Sequence, residues 1–67
     1  MKYEEIETIH MSLVNGQRKQ MAAQMEEYGM YDVFSDYSNY LLDTQSMTDA
    51  YSYLADAVNS YFKIKNR

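Results

Sequence analysis

The chain has 67 residues, 46% of them hydrophobic and 24% charged, with ten acids against six lysines and arginines and a net charge of −4. This length supports one small core, because folding of a chain of about 60 residues hides only about 60% of the surface it exposes unfolded. The absence of cysteine excludes disulfides, thiolate zinc sites, iron–sulfur clusters and thiol catalysis, and the composition is too apolar for intrinsic disorder.

No apolar run approaches the roughly 20 residues of a membrane span. The start, Met1-Lys2-Tyr3-Glu4-Glu5, is acidic where a signal peptide has a basic start and an apolar stretch. The expectation is a single helical domain over residues 1–67, cytoplasmic, with no membrane partner.

Two glycines and no proline leave the chain free to form helix almost throughout. The first apolar stripe runs Tyr3, Ile6, Ile9/His10, Leu13 and Val14, with Glu4, Glu5, Glu7 and Ser12 on the other face. Its early acids suit the positive end of a helix dipole, and Asn15-Gly16 supplies a stop. A β-hairpin is the rival reading of Asn-Gly, but the flanks do not alternate with period two. The second stripe is Arg18, Met21, Ala22, Met25 and Tyr28, closed by Gly29. The third is Met30, Val33/Phe34, Tyr37 and Leu41/Leu42, and reads either as its own helix or as a short arm continuing the second. Ser46, three residues before Asp49, resembles a capping box. The last stripe runs Met47, Ala50/Tyr51, Leu54, Ala57/Val58 and Tyr61/Phe62, with Lys63, Lys65 and Arg67 suited to a helix C-terminus. The predicted fold is all-α, a small bundle of three to four short helices. Its predicted core is Ile6, Ile9, Leu13, Met21, Ala22, Met25, Phe34, Tyr37, Leu41, Tyr51, Leu54, Val58 and Phe62.

Charge is distributed unevenly. Residues 20–62 contain no lysine or arginine, yet carry Glu26, Glu27, Asp32, Asp36, Asp43, Asp49 and Asp56. Those acids must be screened by solvent, met by cations folding back from the ends, or met by a partner. Asp32, Asp36 and Asp43 lie four and seven residues apart, so one helix face can carry all three; Asp49 and Asp56 are seven apart. Steps of four and seven separate charges by about 6 and about 10.5 Å along a helix, comparable to the scale set by a strand's phosphates at about 3.4 Å axial rise. Such a surface can compete for a nucleic-acid-binding groove; its alternative role is simply to keep the chain in solution.

Seven tyrosines interleave with these acids. Tyr37, Tyr51 and Tyr61 fall on apolar stripes and are assigned to the core. Tyr31, Tyr40 and Tyr53 fall off the best stripe positions and are candidate exposed anchors, since tyrosine is favoured at binding hot spots. Base stacking by these rings would require a basic groove, and the block has the wrong sign, so direct nucleic-acid binding is disfavoured.

Catalytic patterns are absent. Two isolated glycines build no phosphate-cradling loop, and there is no G-x-S-x-G elbow or calcium loop. Glu7-Thr8-Ile9-His10 is a Glu-x-x-His step of the kind paired in di-iron bundles, but those need two such steps and two further glutamates. The expectation is no enzyme, no metal and no cofactor.

Val14-Asn15-Gly16-Gln17-Arg18-Lys19-Gln20-Met21, then Tyr28-Gly29-Met30-Tyr31-Asp32-Val33-Phe34-Ser35-Asp36-Tyr37 and Tyr40-Leu41, resemble small orphan proteins of phages and prophages. The resemblance implies a viral host-takeover or counter-defence factor, as the anti-CRISPR proteins are, acting in the host cytoplasm by binding one host protein. It transfers no residue roles.

Two functions follow as expectations. One is a phage-type inhibitor that binds a basic surface on a host protein, such as a nucleic-acid-binding defence component, through Asp32, Asp36, Asp43, Asp49, Asp56, Tyr31, Tyr40 and Tyr53. The alternative is a structural or regulatory helical module that self-assembles, as a homodimer for example, or binds a cognate partner through apolar surface. Salt separates them, weakening the first steeply and the second little.

Overall fold

The computed structural model describes residues 1–66; Arg67, the last of the closing cations, lies outside the described residues. Four helices follow one another: α1 Tyr3–Val14, α2 Arg18–Tyr28, α3 Met30–Thr44 and α4 Met47–Lys65. No strand occurs among the described residues, and the fold is the expected small all-α bundle.

Each boundary has a local cause. At the end of α1 the Gln17 amide donates to the Ser12 carbonyl at 2.8 Å and the Gly16 amide to Leu13 at 3.1 Å. These two bonds form a Schellman cap, which requires a left-handed residue at its centre. Gly16 supplies it, with φ at 76°. A Cβ there would meet nothing within 4 Å, so the penalty for a side chain is conformational and not steric. Gly16→Val should therefore cost about 1–2 kcal/mol, read from the urea midpoint; an unchanged midpoint would mean that the cap does not hold the turn.

Gly29, with φ at 94°, is the single residue between α2 and α3. It decides between the two readings of the third stripe: α3 is a helix of its own, 15 residues long, and not an arm of α2. At the start of α4 the Ser46 hydroxyl accepts from the Asp49 amide at 3.2 Å, as its spacing predicts. Lys63 and Lys65 occupy the last turn of α4, where carbonyl ends favour cations.

Helix α2 carries its charges the wrong way round for its dipole, with Arg18 and Lys19 at the N-terminus and Glu26 and Glu27 near the C-terminus. Tertiary pairing compensates. Arg18 donates to Asp56 at 3.0 Å and Lys65 to Glu26 at 3.2 Å, both linking α2 to α4. The hydroxyl of buried Tyr61 also donates to Glu26, and Lys65 donates to that hydroxyl at 3.2 Å. Tyr61 and Lys65 together hold the Glu26 carboxyl below its ordinary range.

The core is Ile6, Ile9 and Leu13 of α1; Met21, Ala22 and Met25 of α2; Val33, Tyr37 and Leu41 of α3; and Ala50, Ala57 and Tyr61 of α4. Phe34 and Leu54 pack against it half-buried, and Val58 is likewise half-buried. Two core assignments are corrected: Tyr51 and Phe62 are exposed. Along α4 the buried line runs one position earlier than expected, through Ala50, Ala57 and Tyr61. Small side chains there let α2 and α3 pack closely on the longest helix, and the bulky neighbours turn outward.

Candidate interaction surface

Successive residues advance about 100° around a helix. On α3, Tyr31, Ser38 and Leu42 share one side, and Asp32 and Asp43 each follow a member of that line by one residue. Asp32, Asp36 and Asp43 thus form a second line about 100° away, as the spacing predicts. On α4, Met47, Tyr51, Leu54, Val58 and Phe62 recur at steps of three and four. Asp49 and Asp56 lie two residues after Met47 and Leu54, on the opposite side of the helix.

Helices α3 and α4 are joined by two residues and run antiparallel. Leu42 shares a crevice with Met47 and Tyr51 near the connection, while Phe34 meets the Tyr61 ring edge-on, 6.2 Å away, towards the far end. The two apolar lines therefore adjoin along the outer seam, with the acidic line of α3 beside it, while Asp49 and Asp56 lie on the far side of α4, where Asp56 shares a crevice with Arg18, Lys19 and Lys63. Beside the strip lie uncharged residues, including Ser35 and Asn39 on α3 and Thr48, Ser52, Ala55 and Asn59 on α4. The large side chains of the strip are strongly accessible: Tyr31 is 82%, Leu42 56%, Met47 79% and Tyr51 77% exposed. Exposed apolar groups on this scale are unusual in a small protein unless they meet something.

The acids are not one continuous face. Asp32, Asp43 and Asp49 are exposed, and none of them forms an ion pair among the described residues. Asp36 accepts from the Met1 ammonium at 2.9 Å and holds that amine protonated above its ordinary range. Asp56 accepts from Arg18 and from the Ser60 hydroxyl at 3.1 Å. The chain's amino end and Arg18, both outside the block, thus partly neutralise it.

The tyrosines divide differently from expectation. Tyr31 is exposed as expected. Tyr40 and Tyr53 are half-buried, because they close over His10, with ring centroids 5.4 and 5.0 Å from the imidazole. His10 is itself buried, and its Nδ1 shares a 2.7 Å hydrogen bond with the hydroxyl of fully buried Tyr37. These rings tie α1, α3 and α4 together as a structural centre. Neither Tyr40 nor Tyr53 is positioned as a free anchor.

Burial pushes the His10 imidazole below its ordinary value, and nearby Glu7 opposes that shift more weakly. The folded state therefore resists a proton that the unfolded chain takes up near pH 6.5. Stability should be complete above that value and fall as the pH drops below it, towards the folded-state value. Urea midpoints at about pH 7.5 and about pH 5.5 should differ in this direction, and the His10→Gln protein should lose the difference. An equal difference in His10→Gln would assign the effect to other groups.

Leu42, Met47 and Tyr51 are the members of this surface that the stripes alone do not assign to it. For Leu42 and Tyr51 the signal is the doubling of apolar positions at Leu41/Leu42, Ala50/Tyr51, Ala57/Val58 and Tyr61/Phe62; Met47 has no such signal. Doubling widens the apolar arc beyond what a single core-facing stripe needs. The fold and this surface define a small all-α protein with an exposed apolar strip along α3 and α4 and an acidic line beside it on α3. No family model, curated protein or solved structure matches the chain, so its function is argued from the chemistry of this surface.

Proposed function

We propose that the chain is a non-catalytic interaction module that binds a protein with a basic surface through the outer α3–α4 face. The observation that carries the reading is an exposed apolar strip beside the acidic line of α3, in a stretch of 43 residues without a lysine or arginine. Specific interfaces have this anatomy, with apolar groups at the centre and polar groups at the rim. Rim charges steer encounter and select partners, while central aromatic and aliphatic groups slow dissociation.

Asp43 strengthens the argument. It sits in the last turn of α3, at the negative end of that helix's dipole, and no basic residue occupies the same turn. An acid there is locally unfavourable, and a cation supplied by a partner would relieve it. A host nucleic-acid-binding protein has a basic groove already formed, so blocking such a groove fits both this charge pattern and the phage-like setting. The site residues proposed for this contact are Asp32, Asp36 and Asp43 beside the strip, Asp49 and Asp56 on the far side of α4 as a more distant charge, and Tyr31, Leu42, Met47 and Tyr51 in the strip, the last three for their exposure. Tyr40 and Tyr53 support the fold beneath it.

The test is a double reversal, Asp32→Lys with Asp43→Lys. Both side chains are exposed, so folding should be retained, and Asp43→Lys alone should raise stability by about 0.3–1 kcal/mol. Capture of the partner from the natural host should fall sharply for the double variant. Capture by the unaltered chain should fall between ionic strengths of about 0.01 M and about 0.15 M. Capture indifferent to both changes would contradict the acidic-border reading.

A further inference from the structure

We propose that the seam between α2 and α4 binds a small aromatic phosphate of mononucleotide size, its phosphate held by Lys19 and Lys63 and its ring lodged beside Ile64. The seam lies away from the outer α3–α4 face, so this inference and the function proposed above stand or fall separately. Two adjoining crevices form it. One, of about 480 Å³, is lined by Arg18, Lys19 and Lys63, together with Asp56 and Ser60. The other, of about 260 Å³, has Ala22, Ala23, Tyr61 and Ile64 among its walls, with Glu26 and Lys65 as polar neighbours. Lys19 and Ile64 line both, so one molecule can occupy the two together.

Charge selects the phosphate. Of the chain's six lysines and arginines, Arg18, Lys19, Lys63 and Lys65 line this seam. Arg18 is engaged by Asp56 and Lys65 by Glu26. Lys19 and Lys63 form no ion pair among the described residues, although the chain's ten acids outnumber its cations. Lys19 also stands in the first turn of α2, where the helix dipole disfavours a cation, so helix stability does not account for it. Two ammonium groups on one crevice suit the charge of about −2 that a phosphate monoester carries. The net charge of −4 opposes a long polyanion, which restricts the occupant to a small molecule with one such group.

Shape selects the rest of the ligand. Ala22 and Tyr61 are buried, and the alanines at 22 and 23 contribute only methyl groups to the smaller crevice. Its volume of about 260 Å³ exceeds the roughly 150 Å³ that accommodates benzene, so a bicyclic ring fits. Apolar walls with a few convergent polar groups are the usual make-up of a small-molecule site. Glu26 and Lys65 supply a carboxylate and an ammonium beside the ring, an acceptor and a donor for the polar edge of a base.

The experiment is a chemical-shift titration of the isotope-labelled protein with adenosine monophosphate, and separately with adenosine and with inorganic phosphate. It compares the unaltered chain with Lys19→Gln/Lys63→Gln and with Ala23→Leu. All three replaced residues are exposed, so each variant should keep its fold, which circular dichroism checks. The expected result is that the nucleotide moves Lys19, Ala23, Lys63 and Ile64 most, and binds more tightly than either of its parts. Lys19→Gln/Lys63→Gln should weaken nucleotide binding by about tenfold or more and leave adenosine unaffected. Ala23→Leu, which fills the smaller crevice, should weaken the nucleotide and adenosine but not inorganic phosphate.

No shift at these residues with millimolar nucleotide would overturn the site. Equal affinity for nucleotide and inorganic phosphate, unaltered by Ala23→Leu, would overturn the aromatic part of the ligand. Nucleotide binding indifferent to Lys19→Gln/Lys63→Gln would overturn the phosphate contact. A glutamate-rich peptide that binds the same residues more tightly than the nucleotide would assign the lysines to an acidic protein, against the proposal.

Discussion

Tyr37→Ala should remove most or all of the stability of the domain. Tyr37 is fully buried on α3, and truncating a buried aromatic side chain costs about 3–5 kcal/mol through lost transfer energy and an unfilled cavity. A second loss follows, because the Tyr37 hydroxyl is the hydrogen-bond partner of His10 Nδ1. Without it the buried imidazole keeps its desolvation cost and loses its bond. Small domains hold a total of about 5 kcal/mol or somewhat more, so circular dichroism at room temperature should show a largely unfolded chain or one melting many degrees lower. Tyr37→Phe separates the two contributions: it keeps the ring and removes only the hydroxyl, and should cost about 1–3 kcal/mol. If both variants melt like the unaltered protein, the aromatic centre around His10 does not hold the fold.

The second large effect is expected at a small residue. Ala57 is fully buried on α4, where both α2 and α3 pack against that helix. Leucine at this position adds a branched side chain at a fully buried site, and overpacking of this kind costs about 1–3 kcal/mol, sometimes more. The adjacent turn provides the contrast. Tyr51→Ser exchanges a far larger group, yet Tyr51 projects into solvent, so its replacement should stay within about 0.5 kcal/mol. Denaturant midpoints of the two variants should rank in that order. The reverse ranking would restore Tyr51 to the core and turn α4 back to the register expected from its bulky residues.

That register explains what the sequence does and does not disclose. Ile6, Ile9 and Leu13 on α1, and Met21, Ala22 and Met25 on α2, occupy single apolar stripes with polar residues opposite, and all six are buried as their periodicity predicts. Gly16 and Gly29 mark boundaries because their positive φ angles are needed there, and Ser46 caps α4 at its predicted spacing. Helix α4 offers two adjacent apolar residues at successive turns, and periodicity alone does not choose between them. Size is an unsafe guide, since close approach of neighbouring helices selects alanine over tyrosine at 50/51 and alanine over valine at 57/58.

The same limit applies to the surface. Spacing places Asp32, Asp36 and Asp43 on one side of α3. Pairing of Asp56 with Arg18, 38 residues away, depends on how α2 packs across α4 and has no local signature. Tyr40 and Tyr53 look external on their own helices, yet His10 from α1 draws them inward. The α4 part of the apolar strip is hidden for a further reason: periodicity places Tyr51 and Phe62 in the core, and only the packing shows that the core is complete without them.

The most direct test of the account is a chemical-shift map of the isotope-labelled protein titrated with a synthetic amphipathic helical peptide of leucine and lysine, which stands for a basic partner. The account predicts perturbations concentrated on the outer α3–α4 face, strongest at Leu42, Asp43, Met47 and Tyr51. The buried residues Ile9 and Met21 and the exposed side of α1 should remain unmoved. Perturbations centred on α1 and α2, or spread evenly over every acidic residue including Glu4 and Glu27, would contradict it.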